Sequence, residues 1–323
     1  MIEKQHAEFQ FSEESPWDWC ETNFFPFSVP EAKLSGSIYL LTRPKLGVTM
    51  VDILVQDRIS PAWEAQAYVD NQQHLPCPAS LLRYSLPNGL SVEARDPLEH
   101  YVIRYEGIDD TRFEMDFRAL MPPFDMNDPA MDPMAAGRIG ASWGGAAFSG
   151  HYEITGQISG VLRLRGREFA IDCIDTLDRS WGPRKERANG NATWIHGSFG
   201  RDLTVHAFLG LDPATESGFG PLISGYVLDR GELSGLVKAS GLVERSGLLP
   251  MSNLLQVTDA RGREFDLTAA AINGCVWAPF PSMVYAQSFM RWNCNGQVGY
   301  GVQQDVISRS YLSRNRDAIP GLS

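Results

Sequence analysis

The sequence predicts an all-β protein of antiparallel meanders, and three observations support this class. Alternation of apolar and polar residues recurs over short runs, whereas helical periodicity is scarce. Glycine or asparagine turns separate these runs at short intervals. The chain has 323 residues, of which 43% are hydrophobic, so it is long enough for two domains that each bury a core.

Hairpins are the clearest individual elements. The segment LLRYSLPNGLSVEARD places two strand-like runs around Asn88-Gly89, and both turn residues tolerate positive φ. The same arrangement recurs around four further turn glycines, Gly166, Gly231, Gly262 and Gly296. Short helical pieces are expected near 60–67 and 305–315, and neither is long enough to change the fold class.

One segment interrupts the meander, MPPFDMNDPAMDPMAAGRIGASWGG at 121–145. Its four prolines remove backbone donors, so it cannot form a central strand. It is interpreted either as a linker between domains or as a lid whose four methionines adapt to a ligand. The expected domains are therefore 1–149 and 150–323.

Charge and cysteine usage exclude several functional classes. The net charge is −11 and no run of lysine or arginine is present, so nucleic acids and anionic membranes are not expected partners. Five scattered cysteines without a CxxC pair indicate reduced thiols rather than a disulfide framework or a zinc site. The sequence shows neither a signal-peptide pattern nor 18 consecutive apolar residues, which predicts a soluble cytoplasmic protein.

Common cofactor and catalytic motifs are also missing from the sequence. It contains no GxGxxG after a strand, no GxxxxGK[ST], no HExxH and no GxSxG. The six histidines include no pair at the spacing of a helical metal site, although His196 and His206 lie in neighbouring strand candidates. We therefore expect neither a metal nor a cofactor, and we leave a homodimer open.

The stretch IDTLDRSWGPR at 174–184 is unusual because it surrounds a tryptophan with charged residues. In a structural interpretation, Arg179 and Arg184 pair with Asp175 and Asp178, and Trp181 caps one barrel end. In a functional interpretation, Asp178 is a catalytic acid or base whose surroundings are shaped by the tryptophan and the arginines. Residue types alone leave both interpretations open.

Two other stretches supply candidate site residues. In GHYE, the strand period places His151 and Glu153 on one face, as a candidate acid/base pair, and Tyr152 on the other. A solvent-facing pair at the domain boundary is the alternative. In TWIHGSF, Trp194 and His196 alternate, and they line either a pocket or the core.

The segment GHYEITGQISGVLRLRGREFAIDCIDTLDRSWGPR at 150–184 resembles the signature of the carotenoid 1,2-hydratase (hydroxyneurosporene synthase) superfamily and its bacterial relatives. In that superfamily a glycine-rich strand pair leads into an Asp-His-Ser-Trp-Gly-x-Arg motif. This chain has Asp178, Ser180, Trp181 and Arg184 at matching positions, but Arg179 stands where histidine is usual. EESPWDWCETNFFPF and MRWNCNGQVGYGVQQD also resemble the beginning and end of those proteins.

The resemblance implies two lipocalin-like β-barrel or sandwich domains packed side by side, with a hydrophobic ligand space at or near their interface. Activities in that superfamily include hydration of isoprenoid double bonds, hydration of plant phenolics and cyclisations, so the fold does not decide among them. Because arginine stays protonated, Arg179 cannot replace a histidine proton shuttle. It would bind a carboxylate, phenolate or enolate instead, or its role is structural.

Two functional hypotheses follow. The first is a cofactor-independent lyase or hydratase acting on a terpenoid, steroid or lignin-type aromatic, in which proton transfer accompanies gain or loss of water or of a small carbonyl fragment such as formaldehyde. Its expected catalytic residues are Asp178, Arg179, His151 and Glu153. Its expected substrate-binding residues are Tyr152, Trp181, Arg184, Trp194 and His196. The second hypothesis is a carrier that binds an apolar metabolite without chemistry.

Overall fold

The computed structural model describes residues 1–138, 149–184 and 190–319. About 64% of it is strand and 9% helix, which confirms the all-β class. The chain forms two compact units. The first consists of Met1–Val55, Ala67–Asp125 and Gly145–Lys185, and the second of Gln56–Gln66, Met126–Gly144 and Glu186–Ser323.

The first unit is a curled half-barrel sheet with two open edges. Its strands are β1 (Trp19–Val29), β2 (Leu34–Arg43), β3 (Val48–Gln56), β5 (Tyr68–Pro76), β6 (Arg83–Ser85), β7 (Leu90–Asp96), β8 (His100–Glu106), β9 (Arg112–Ala119), β10 (Phe124–Asp125), β11 (Gly150–Leu164) and β12 (Arg167–Pro183). They are ordered β5-β3-β2-β1-β12-β11-β9-β8-β7-β6, and β10 pairs with β11.

The second unit is a closed eight-stranded barrel with one additional edge strand. Its strands are β4 (Ile59–Ala62), β13 (Ala192–Ser198), β14 (Leu203–Leu211), β15 (Phe219–Asp229), β16 (Glu232–Ser246), β17 (Leu249–Asp259), β18 (Glu264–Trp277), β19 (Met283–Cys294) and β20 (Gln297–Ser308). The strands from β13 to β20 pair in sequence, and β13 pairs with β20 to complete the ring. The parallel strand β4 is attached to β18.

The five predicted hairpins are present. Each turn glycine has a positive φ between 78° and 92°, a conformation that glycine adopts without steric cost. The C-terminal helix is α2 (Arg309–Asn315), whereas the piece expected near 60–67 is strand β4 followed by one 3₁₀ turn at Trp63–Ala65. A second α-helix among the described residues is α1 (Ala135–Arg138). Among the residues that the structure describes, no helix has the length and apolarity to cross a membrane.

The division into units differs from the expected boundary at 149/150. Strands β11 and β12 follow that boundary, yet they belong to the first unit. The reason is their pairing, since β12 is hydrogen-bonded to β1 and β11 to β9. Local sequence patterns show where strands begin and end, but not which distant strand each one joins.

The segment 121–145 is described as far as residue 138. Its first part forms β10, which pairs with the start of β11, and both Met121 and Met126 are buried. Asp132 belongs to the second unit and is fully buried. It accepts a hydrogen bond of 2.6 Å from Ser224, which lies on the barrel of that unit. The part from 139 to 145 lies outside the described residues, so the linker and lid interpretations stay predictions.

The first sheet carries its apolar core on one face. Phe25, Leu40, Ile53, Ile154 and Leu177 are all at most 4% exposed and belong to this core. Because side chains alternate along a strand, every second residue of β11 and β12 is directed to the opposite face. That opposite face carries the candidate site.

Candidate active site

Strands β11 and β12 bring three ionisable residues together on one face of the first sheet. In the antiparallel register, Glu153 is paired with Asp178 and His151 with Ser180. Residues that are directly opposite in such a pair share a face. Alternation along β11 places His151 and Glu153 on one face, and the pairing with β12 adds Asp178 and Ser180 to it. His151 and Glu153 are 4% and 2% exposed, so the solvent-facing alternative does not describe them.

Hydrogen bonds order this group. His151 Nε2 lies 3.0 Å from Glu153 Oε1, and Thr176 Oγ1 donates to Glu153 Oε2 at 3.3 Å. The same histidine nitrogen is 4.0 Å from Asp178 Oδ2. Glu153 therefore orients the imidazole, and that imidazole faces Asp178.

Asp178 has the electrostatics of an acid that is protonated near neutrality. Burial raises the pKa of its carboxyl to about 7, because the charged form loses its hydration. The negative charge of Glu153 contributes to this rise in the pKa, whereas His151 and Arg184 act in the opposite direction. A carboxyl group with such a pKa can donate or accept a proton at physiological pH.

A second polar group lies beside these residues. Arg184 Nη2 donates to Ser180 Oγ at 2.5 Å, and Ser180 Oγ lies 2.6 Å from Thr22 Oγ1. Arg184 Nη1 is 3.5 Å from the hydroxyl of Tyr39. Cation and hydroxyl together can bind an oxygen atom of a ligand that carries partial negative charge.

Aromatic rings border the carboxyl group on the same face. Phe24 of β1 is the register partner of Asp178, and Tyr39 of β2 is the register partner of Phe24. The two rings meet edge to face with centroids 6.3 Å apart. An apolar substrate that contacts these rings would be held next to the proton donor.

Arg179 does not join this group, because its side chain lies on the opposite face. It is fully buried and forms a salt bridge of 2.5 Å with Glu21, which is also fully buried. Its guanidinium also donates to the backbone oxygen of Glu8 at 2.9 Å. Arg179 therefore pairs with neither Asp175 nor Asp178, contrary to the structural interpretation of the motif, and its position does not suit contact with a substrate at Asp178.

Trp181 and Tyr152 share the face of Arg179. The ring of His6 is stacked parallel to Trp181 at a centroid distance of 5.8 Å, and the guanidinium of Arg179 lies 5.4 Å from the tryptophan ring. Tyr152 meets Trp181 edge to face, and burial raises the pKa of its hydroxyl well above the usual value. Both belong to the apolar core of the first unit.

Trp194 and His196 belong to the second unit. They contact His206, which is the register partner of His196, with ring centroids 5.1 Å from Trp194 and 5.9 Å from His196. Burial lowers the pKa of His196 to about 3, so its imidazole is neutral across the physiological range. These residues form an aromatic group of their own.

The trio on the first sheet could also hold a metal ion. One ligand atom from each of His151, Glu153 and Asp178 lies within 4.8 Å of the others. One imidazole nitrogen and two carboxylate oxygens are a donor set that divalent transition metals accept. The sequence alone does not reveal this capacity, because the ligands are far apart in sequence, on the two strands of one long hairpin.

Comparison with known proteins adds the family and the fold. A family model described as "Domain of unknown function (DUF7064)" matches residues 3–304. The chain belongs to this family. A search of curated proteins finds no significant sequence match.

Two solved structures share the fold over nearly the whole chain. Kievitone hydratase from Nectria haematococca aligns with a TM-score of 0.56 and 14% identity, covering 94% of this chain and 93% of that one. CghA aligns with a TM-score of 0.55 and 12% identity, covering 90% and 88%. These neighbours share the all-β fold that the resemblance implied.

Several residues of the site were not predicted from the sequence. Thr176 precedes Asp178 by two positions, so the strand period alone could have placed both on one face. Thr22 and Tyr39 come from β1 and β2, and only the pairing of β1 with β12 brings them to the site. Glu21 was missed as the partner of Arg179 for the same reason.

Proposed function

We propose that this chain is a lyase or hydratase that uses acid/base proton transfer on a hydrophobic small molecule and needs no cofactor. The observation that carries the proposal is the buried His151–Glu153 pair facing a carboxyl group, Asp178, whose pKa is about 7. A buried histidine–carboxylate pair beside a carboxyl group with a raised pKa is typical of general acid/base sites.

The geometry suggests a division of roles. In hydration, the protonated Asp178 would deliver its proton to one carbon of a double bond. A water molecule would add to the other carbon and lose a proton to His151, which Glu153 stabilises in its charged form. Phe24 and Tyr39 would favour the positive charge that develops, by roughly 0.5–2 kcal/mol for each ring.

Loss of a small carbonyl fragment would use the same residues. The base would remove the proton of a hydroxyl group, the adjacent C–C bond would break to release a carbonyl such as formaldehyde, and Asp178 would protonate the remaining carbon. Arg184 and the hydroxyls of Ser180 and Tyr39 lie where an oxygen of the substrate could be bound. We assign Arg179 a positioning role, through β12, rather than contact with the substrate.

Other observations support an enzyme over a carrier. A carrier of apolar molecules does not need three ionisable groups that lose most of their hydration, because burying them costs stability. The name of kievitone hydratase indicates hydratase activity on this fold, at an identity too low to transfer a substrate. The proposed substrates are therefore given as a class: terpenoids, steroids and lignin-type aromatics.

Mass spectrometry with a substrate panel tests the proposal. We expect a change of about 18 Da for water or about 30 Da for formaldehyde with one member of the panel, retained when EDTA is added. Asp178→Asn should reduce kcat by about 10²–10⁴-fold. Asp172→Asn, an exposed change on the same strand, is the matched control and should retain activity.

Each other outcome has a clear meaning. Full turnover by Asp178→Asn would remove Asp178 from the mechanism. Loss of activity in EDTA that Zn²⁺ or Mn²⁺ restores would replace the metal-free mechanism by a metal site at the trio. Retention of one compound without a mass change would support the carrier.

A further inference from the structure

A polar chain of residues crosses the interior of the closed barrel in the second unit. Arg245 donates two hydrogen bonds to Asp305 Oδ2 at 2.9 and 2.8 Å, and Gln303 Nε2 donates to Asp305 Oδ1 at 3.2 Å. Asn253 Nδ2 in turn donates to Gln303 Oε1 at 2.9 Å. Gln303 faces the interior because its register partner Ile195 belongs to the barrel core.

The directions of these hydrogen bonds leave one acceptor atom without a donor. Asp305 carries a carboxylate and can only accept, so Gln303 must direct its amide N–H₂ toward it. The carbonyl oxygen of Gln303 is then left to accept from the amide of Asn253. This orientation leaves Asn253 Oδ1, in a residue 2% exposed, without a hydrogen-bond partner among the described residues.

Two hydroxyl groups beside these hydrogen-bonded side chains are unsatisfied in the same way. Thr193 of β13 is the register partner of Asp305, and Ser288 of β19 is the register partner of Gln303. Both are at most 1% exposed, and within the part of the chain that the structure describes neither hydroxyl has a hydrogen-bond partner. One acceptor and two hydroxyls next to Asp305 and Gln303 therefore have unused hydrogen-bonding capacity, which proteins generally avoid.

The charge of the interior also suits a neutral ligand. Arg245 and Asp305 carry opposite charges that neutralise each other, so a ligand need not be an anion or a cation to balance them. An eight-stranded barrel is wide enough to be filled by side chains or to hold one small ligand. Alanines supply short side chains to this core and to the residues packed against it, at Ala207, Ala239, Ala269 and Ala271.

We propose that the interior of this barrel binds a small neutral alcohol, whose hydroxyl group donates to Asn253 Oδ1 and bonds with Thr193 and Ser288. The apolar part of the ligand would contact Ile195, Met290 and the ring of Trp292, which belong to the same core. This site is distinct in its residues from the His151–Glu153–Asp178 group, and the inference does not depend on the proposed catalytic activity.

Benzyl alcohol and toluene are a matched pair of probes for this site, because they differ only by the hydroxyl group. We expect calorimetry on the full chain to show benzyl alcohol binding at least 10-fold more tightly than toluene. Asn253→Leu should weaken this binding at least 10-fold, and Thr193→Val about 3-fold. Gln256→Leu, an exposed change on the same strand, should not alter it. Crystals soaked with 4-bromobenzyl alcohol should place the bromine inside the barrel.

Specific results would overturn the inference. They are equal affinity for the two probes, unchanged binding by Asn253→Leu, or a barrel interior that contains ordered water only. If Asn253→Leu fails to fold, Thr193→Val carries the test, because a buried threonine and a valine have similar shapes. Asp178→Asn should leave benzyl alcohol binding intact, so failure at this site and failure of the proposed catalysis are separate results.

Discussion

The two faces of strands β11 and β12 differ in how their buried charged groups are stabilised. On one face, Arg179 and Glu21 neutralise each other in a salt bridge, and the carboxylate also accepts from the backbone N–H groups of Gln10 and Phe11. On the other face, burial raises the pKa of Asp178 to about 7, and the negative charge of Glu153 acts in the same direction.

This difference separates structure from chemistry within one short motif. Asp178 and Ser180 face the candidate site, while Arg179 and Trp181 face the core, because consecutive residues of a strand alternate. A matched ion pair has little tendency to exchange protons, whereas an excess carboxyl group with a raised pKa can do so. The motif is therefore both structural and, in our proposal, catalytic, with each role on its own face.

The largest expected effect is on stability. Arg179→Met leaves the carboxylate of Glu21 buried without its cation, and we expect the free energy of unfolding to fall by about 3–5 kcal/mol. Urea denaturation measures this change. The double variant Glu21→Gln with Arg179→Met should recover much of the loss, since no charge remains buried. A loss below about 1 kcal/mol for Arg179→Met alone would show that the pair is not a structural element.

The next expected effect is on the pH dependence of stability. Burial raises the pKa of both Asp175 and Asp178 to about 7, from an ordinary value of 3.8 in the unfolded chain. Between about pH 4 and 7 the native state then holds more protons than the unfolded state, so each group makes stability decrease as pH rises. Each should contribute a slope of up to about 1.4 kcal/mol per pH unit.

The variants Asp175→Asn and Asp178→Asn test this sign. Each should flatten the decrease of unfolding free energy, measured by urea denaturation at several pH values, relative to the parent chain. Asp175 is not part of the trio, so only Asp178→Asn should also remove the fall of kcat/KM that we expect above about pH 7. Identical stability slopes in all three proteins would contradict the raised pKa values.

The smallest expected effect concerns Thr176, which donates to Glu153. Thr176→Val removes one hydrogen bond of about 0.5–1.5 kcal/mol, so kcat should decrease by roughly 2- to 10-fold with little change in KM. Thr49→Val, which alters a buried threonine on β3, is the control. Equal effects of both substitutions would mean that Thr176 acts only through stability.

Strand alternation accounts for what the sequence could predict. The hairpins, the all-β class and the shared face of His151 and Glu153 all depend on neighbours along the chain. The partner of Arg179, the contribution of Tyr39 and the assignment of β11 and β12 to the first unit depend on β1 pairing with β12. No local pattern specifies that pairing, since many strands offer a similar apolar face.

The pairing of β1 with β12 also has a consequence for synthesis of the chain. Neither compact unit is continuous in sequence, because Gln56–Gln66 belongs to the second unit and Gly145–Lys185 to the first. The first sheet cannot be completed until residue 183 has left the ribosome, and the barrel cannot close until β20 has followed β13 by about a hundred residues. A fragment cut at residue 150 would therefore separate β1 from its partner, and each unit is completed only late in synthesis.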